Sequence, residues 1–155
     1  MNKTNVIRLL EANKISHEIK TYDFDESDLS GISVAKKIGI DEDFVFKTLV
    51  ADGDKTGYLV FCIPVNSELN LKKAARASDN KNVELIPVKN LLNLTGYVRG
   101  GCSPIGMKKK FPTFIDETAQ LCEKIFFSAG IRGIQIGLLP DDLLKVTDAS
   151  YADLI

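Results

Sequence analysis

Residues 44–63 constrain the fold most. Phe44-Val45-Phe46-Lys47-Thr48-Leu49-Val50-Ala51 is rich in β-branched and aromatic residues and has the composition of a strand. Asp52-Gly53-Asp54-Lys55-Thr56-Gly57 follows, and Tyr58-Leu59-Val60-Phe61-Cys62-Ile63 returns as a second apolar run, ended by Pro64. Two strands joined by aspartate and glycine predict a β-hairpin.

Shorter elements flank it. Thr4 caps a first helix with the apolar stripe Val6, Ile7, Leu9 and Leu10. His17 to Tyr22 alternates as a strand, and Asp23 to Gly31 reads as an acidic surface loop. Ser33 is a candidate cap for a short helix through Ile38, stopped by Gly39. Asn70 caps a basic helix, Leu71 to Ala77, and Val83 to Ile86 is a short strand. Pro87 opens a helix that ends near Gly96. Thr113 to Asp116, Lys124 to Ser128 and Gly133 to Ile136 are further strands, and Pro140 opens a last short helix. There is no repeat, linker or low-complexity tract. Residues 1–155 therefore read as a single domain of α+β class, with a mainly antiparallel central sheet or barrel and surrounding short helices.

Composition excludes several classes. The net charge of −1 makes the chain no polycation, so any nucleic acid must be met by a local basic patch. No run approaches the roughly 18 apolar residues of a membrane span. Met1-Asn2-Lys3-Thr4 leads straight into the amphipathic segment without a signal core. Cys62, Cys102 and Cys122 are odd in number and far apart, and His17 is the single histidine. Neither a metal site nor a disulfide framework fits, and a reducing cytoplasm does. His17 reads as solvent-facing, which weakens a Ser-His or Cys-His hydrolase.

The loop Gly96-Tyr97-Val98-Arg99-Gly100-Gly101-Cys102-Ser103-Pro104-Ile105-Gly106 holds four of the eleven glycines. A Gly-Gly pair lets a ligand approach the main chain closely, and Pro104 stiffens what the glycines loosen. The loop reads equally as a tight turn or as a cradle for an oxyanion, carbonyl or phosphate. Lys108-Lys109-Lys110 follows it and suits phosphate contacts. A nucleotide P-loop is excluded, because Met107 stands where lysine is required and Lys108 where Ser or Thr is. Cys102 has no histidine to activate it and reads as a bystander thiol. Lys47 lies mid-strand with apolar neighbours on both faces, sharing its face with Val45 and Leu49. Desolvating that ammonium calls for an anion or an acceptor.

Together these residues resemble the YbaK/EbsC family of aminoacyl-tRNA editing proteins. The likeness runs nearly end to end: Leu9-Leu10-Glu11-Ala12-Asn13-Lys14-Ile15-Ser16, Phe46-Lys47-Thr48-Leu49, Leu71-Lys72-Lys73-Ala74-Ala75, the loop Thr95 to Gly106, Pro112 to Asp116 and Ser128 to Gly133. The lysine strand and the Gly-Gly-x-Ser-Pro-x-Gly loop are its specific parts. The resemblance implies the fold of the editing domain in bacterial prolyl-tRNA synthetases. It implies removal of cysteine from mischarged tRNA(Pro), and from tRNA(Cys), with the substrate's thiol attacking its own ester to release a thiolactone. By position it assigns Lys47 to the phosphate or ribose of the acceptor end, and Gly100 and Gly101 to the scissile carbonyl. It places Tyr22 and Thr48 in the substrate pocket; Ser103 and Gln135 are further candidates for that pocket, and the lysine run Lys108, Lys109 and Lys110 is the candidate tRNA contact. It implies no cofactor and no metal, prolyl-tRNA synthetase as a partner, and a monomer or weak homodimer. Gln135 stands where well-known members carry an aspartate, and Leu29-Ser30-Gly31 replaces a segment that holds a pocket phenylalanine in some. The alternatives are editing of a small amino acid such as alanine by an activated water, or a non-catalytic RNA-binding or regulatory module.

Overall fold

The computed structural model describes residues 3–155. Helix α1 (Asn5–Ala12) is capped by Thr4, whose side chain accepts from Ile7 N. Strand β1 (Glu18–Thr21) leads through the acidic loop to α2 (Gly31–Ile38). The expected cap of α2 shifts by three residues. Ser30, not Ser33, is the N-cap, and its side chain accepts from Ser33 N. Gly31 is the first residue of the helix, and its backbone lies on Val65, where a Cβ would fall 2.2 Å from a valine methyl.

The hairpin forms as β2 (Phe46–Gly53) and β3 (Gly57–Pro64), paired antiparallel from Phe46↔Pro64 to Gly53↔Gly57. It begins later than its apolar run suggests, because Glu42–Phe44 turns as a short 3-10 helix. Helix α3 (Leu71–Ala77) is capped by Asn70, and β4 (Val83–Leu85) adds to β2 over Gly53–Ala51. Pro87 precedes a 3-10 turn, Val88–Asn90, that runs into α4 (Leu91–Thr95) and ends at a left-handed Gly96. Strands β5 (Thr113–Asp116), β6 (Ile125–Ser128) and β7 (Ile134–Leu138), helix α5 (Pro140–Thr147) and strand β8 (Ser150–Ala152) complete the chain.

Two sheets result, ordered β1-β7-β6 and β4-β2-β3-β5-β8. Four strand pairings are antiparallel; β3–β5 and β5–β8 are parallel. The main core lies between the sheets and is closed by Val6, Ile7 and Leu10 of α1 and Leu143 of α5. Helix α3 covers the outer face of the hairpin through Ala74 and Ala75, packed with Phe61 and Ile63.

The sheets touch at one parallel bridge, Val45↔Phe126. Both residues are buried and pack with Ala35 and Ile38 of α2 and with Val65. Beyond the bridge β2 and β6 run in the same sense without pairing, and a gap opens between them.

Gly137 makes the close packing at Phe126 possible. A Cβ there would lie 2.3 Å from the ring of Phe126, which is itself 4% exposed and boxed in. Gly137→Ala is therefore expected to destabilise the fold by about 1–3 kcal/mol, as overpacked core sites do. Equilibrium denaturant unfolding measures this, and an unchanged midpoint would show that the ring can yield.

Candidate active site

A cavity of about 450 Å³ occupies the gap between β2 and β6. One wall is β2 itself, from Val45 to Val50. The opposite bank carries Ser128 and Gln135, which are register partners across β6 and β7. Leu29, Ser30, Gly31, Ile32 and Val34, around the start of α2, form a further wall. Leu85, Ile86, Val88 and Leu91 give an apolar flank, and Arg99, Gly100 and Cys102 bring in the glycine loop.

Alternation explains which side chains meet here. Ile125 and Phe127 of β6, and Ile134 and Ile136 of β7, enter the main core. Ser128 and Gln135 therefore turn to the other face, with Phe126. Along the first hairpin strand Phe46 and Val50 enter the main core, so Lys47 follows Val45 to the face of Phe126. Lys47, Ser128 and Gln135 thus stand on one continuous surface. The lysine has no ion-pair or hydrogen-bond partner among the described residues. Burial holds its pKa below the ordinary 10.5, and Glu68 opposes that shift. Gln135 is 5% exposed, and its Oε1 is buried without a hydrogen-bond partner.

The glycine loop is tied to itself. Tyr97 N donates to Thr95 Oγ1 at 3.0 Å, Tyr97 Oη to Ile105 O at 2.5 Å, and Ile105 N to Ser103 Oγ at 3.3 Å. Gly100 has φ +84°, a left-handed conformation that suits glycine. Gly101 serves a different purpose from its neighbour. Its N–H donates to Val98 O at 2.9 Å, and a Cβ on it would lie 3.1 Å from the main chain of Ile131 and Arg132. Arg132 Nε closes the same junction by donating to Arg99 O at 2.9 Å.

The structure brings Lys47, Thr48, Gly100 and Gln135 to the cavity. It does not bring Gly101, whose Cα is spent on the β6–β7 turn, or Ser103, which is fully buried inside its own loop. Tyr22 packs on the cluster under α2 and donates its N–H to Gly133 O. Lys109 and Lys110 line a separate depression with Pro104 and Phe111, and Lys110 is ion-paired to Asp148. Lys108 lies along Gly96. His17 is half-buried rather than solvent-facing, with Nδ1 2.8 Å from Ile15 O. Sequence reasoning did not single out Ser128, Ile32 or Leu91, which look like core or strand residues until the strands are seen to diverge.

No thiol here is poised to attack. Burial pushes the Cys102 thiol up to about 12, and does the same for Cys62 behind it. Both are protonated at neutral pH. Ser128 Oγ accepts from Gly130 N at 3.2 Å. Among the described residues no group of three metal-ligating side chains gathers, and no helix is long and apolar enough to cross a membrane.

A family model described as "Aminoacyl-tRNA editing domain" matches residues 30–146. The chain belongs to the aminoacyl-tRNA editing family. This editing domain is 49% identical, over 98% of its length and 93% of the relative's, to an Enterococcus faecalis protein named "Putative Cys-tRNA(Pro)/Cys-tRNA(Cys) deacylase EbsC". Its fold matches that of a solved "putative trans-editing enzyme for prolyl tRNA synthetase" with TM-score 0.81 and 23% identity, covering 99% of this chain and 98% of that one. It also matches "hypothetical protein APE2540" with TM-score 0.88 and 20% identity, over 97% and 99% of the two chains. The mixed α+β fold expected of a YbaK/EbsC-type protein is the one observed.

Lys47 gives this editing domain a testable electrostatic signature. The folded state disfavours the ammonium, so the unfolded chain binds the proton more tightly. Stability contributed at this position is therefore lowest below the folded pKa and recovers as pH rises toward 10.5. Lys47→Met should match or exceed the wild type in thermal midpoint near pH 7. Its advantage should shrink by about pH 10. A variant clearly less stable at neutral pH would mean that the lysine has a partner in solution.

Proposed function

We propose that this chain is a trans-editing deacylase that removes cysteine from Cys-tRNA(Pro), and from Cys-tRNA(Cys), using the substrate's own thiol as nucleophile. One observation carries the reading. The cavity offers an unpaired lysine ammonium and an unpaired amide oxygen, but no activated nucleophile. Its one thiol is protonated, the Ser128 hydroxyl has no base beside it among the described residues, and the Ser30 hydroxyl, 2.7 Å from Asp28 Oδ1, is held in place as the cap of α2. An enzyme built this way positions and stabilises; the attacking atom comes with the substrate. The 49% identical relative carries the same activity in its name.

The step balances without a further reactant. The cysteine sulfur bonds to its own ester carbonyl carbon, and the bond from that carbon to the ribose oxygen breaks. The thiol proton passes to the departing ribose oxygen. Cysteine thiolactone and deacylated tRNA leave. Lys47 meets the ribose or terminal phosphate, with Arg99 at the cavity mouth. Gly100, left-handed and open to the cavity, presents main chain to the carbonyl, and Thr48 lines the pocket beside it. Gly101 and Ser103 hold the loop in shape, and Tyr22 supports the floor beneath α2. Lys108, Lys109 and Lys110 lie outside the cavity and suit phosphates further along the acceptor stem. A partner synthetase narrows the choice of tRNA, and the chain acts in the cytoplasm as a monomer or weak homodimer.

A panel of aminoacyl-tRNAs with product identification tests this. Cys-tRNA(Pro) is expected to be deacylated with thiolactone as first product, and Ser-tRNA(Pro) far more slowly, since a hydroxyl is the poorer nucleophile. Equal rates for the two, or turnover of Ala-tRNA(Pro) alone, would assign the attack to a water. Lys47→Ala should lower kcat/KM by about 100-fold or more, beyond its effect on tRNA binding. Binding without any turnover in the wild type would leave a non-catalytic RNA-binding module.

Separately, Lys109→Ala should weaken tRNA binding evenly across tRNAs and reduce the slope of log affinity against log salt by about one. A filter-binding titration over several salt concentrations reads both. An unchanged slope would place the tRNA elsewhere.

A further inference from the structure

Two sets of hydrogen-bonding groups without partners among the described residues line the same cavity. The first is a stretch of strand edge. Val65 N donates to Val45 O, and Ile86 N donates to Val50 O. In an antiparallel ladder the main-chain groups of alternate residues point to opposite edges. Residues 45, 47 and 49 therefore turn theirs toward β3, and residues 46, 48 and 50 turn theirs to the other edge. That edge is bridged to Phe126 at Val45 and covered by β4 from Ala51 onward. Thr48 lies between, so its N–H and C=O look into the cavity with no strand opposite.

The second set is the buried end of Gln135. Its Oε1 has no donor, in a site 5% exposed. An amide oxygen buried without a partner is a cost to the fold, and the half-buried edge at Thr48 offers main-chain groups beside it. A ligand that meets Thr48 N–H and Gln135 Oε1 together must carry an acceptor for the first and a donor for the second. An amino acid esterified at its carboxyl has that pattern, a carbonyl oxygen next to an α-amino group.

We propose that the aminoacyl unit of the substrate lies against the open edge of β2 at Thr48. Its carbonyl oxygen accepts from Thr48 N–H, and its amino group donates to Gln135 Oε1. The proposal rests on the editing function above and names how that site holds its amino acid. Thr48 N–H joins the main chain of Gly100 at the carbonyl where negative charge grows during deacylation. Thr48 thus acts through its main chain, whereas its hydroxyl sits 3.9 Å from the buried Cys62 sulfur. Gln135 holds the amino group without a formal charge.

A stable substrate mimic tests this: 3′-deoxy-3′-(L-cysteinylamino)adenosine, in which an amide replaces the ester, and its counterpart lacking the α-amino group. Wild-type protein should bind the counterpart at least roughly tenfold more weakly. Gln135→Met, close in size and without the amide oxygen, should bind the two alike, with its thermal midpoint retained or raised. Hydrogen exchange at the Thr48 amide should slow when the cysteinyl mimic binds. An equal loss for the counterpart in wild type and Gln135→Met would overturn the role of Gln135. Unchanged exchange at Thr48 would overturn that of the strand edge. Deacylation of Cys-tRNA(Pro) by the same preparation separates the two levels. Turnover without these signatures defeats the strand-edge proposal alone, and absence of turnover and of mimic binding defeats both.

Discussion

Everything at the site depends on one contact between the sheets, the bridge of Val45 to Phe126. There the three-stranded and five-stranded layers are pinned together over α2, by aromatic and aliphatic packing and by a glycine that admits the ring. Past that point the strands separate. A sheet that continued to pair would have filled the gap with hydrogen bonds and left no room for a ligand. The cavity is thus a topological consequence: two strands that start together, run in one direction and then diverge.

That divergence also explains the chemistry on offer. Strands that part leave main-chain groups unpaired and expose side chains that alternation would otherwise hide under a neighbour. Lys47 and Gln135 are costly choices for a folding chain, one a half-buried cation and the other an amide with an orphan oxygen. Costs of this kind are tolerated where a ligand repays them. The one thiol in the cavity wall, Cys102, is protonated and keeps the site from reacting on its own account.

Much of this was legible in the order of residues. The hairpin, the Asn70 cap, the Gly39 and Gly96 stops and the strand Thr113–Asp116 follow from turn chemistry and apolar runs, which act over a few neighbours. Lys47 stood out because a cation among apolar strand residues is anomalous wherever it occurs. Other features depend on distant partners and left no local trace. The three-residue β8 exists through parallel pairing with β5. Ser30 caps α2, with Gly31 after it lying on Val65, a contact with a distant residue. Gly100 and Gly101, adjacent and identical in sequence, differ in role because one meets the cavity and the other meets the turn after β6. Only the β6–β7 connection, some thirty residues on, makes that distinction.

The self-bonded glycine loop and the junction of Gly101 with Ile131 and Arg132 form a frame built of backbone. Its dimensions are set by hydrogen bonds and close main-chain approach, not by the side chains lining the interior. Leu29 and Ile32 on one wall, neither of them fully buried, can therefore vary in size and polarity while the frame stays put. A pocket arranged this way can change its diet by single substitutions without relearning how to fold.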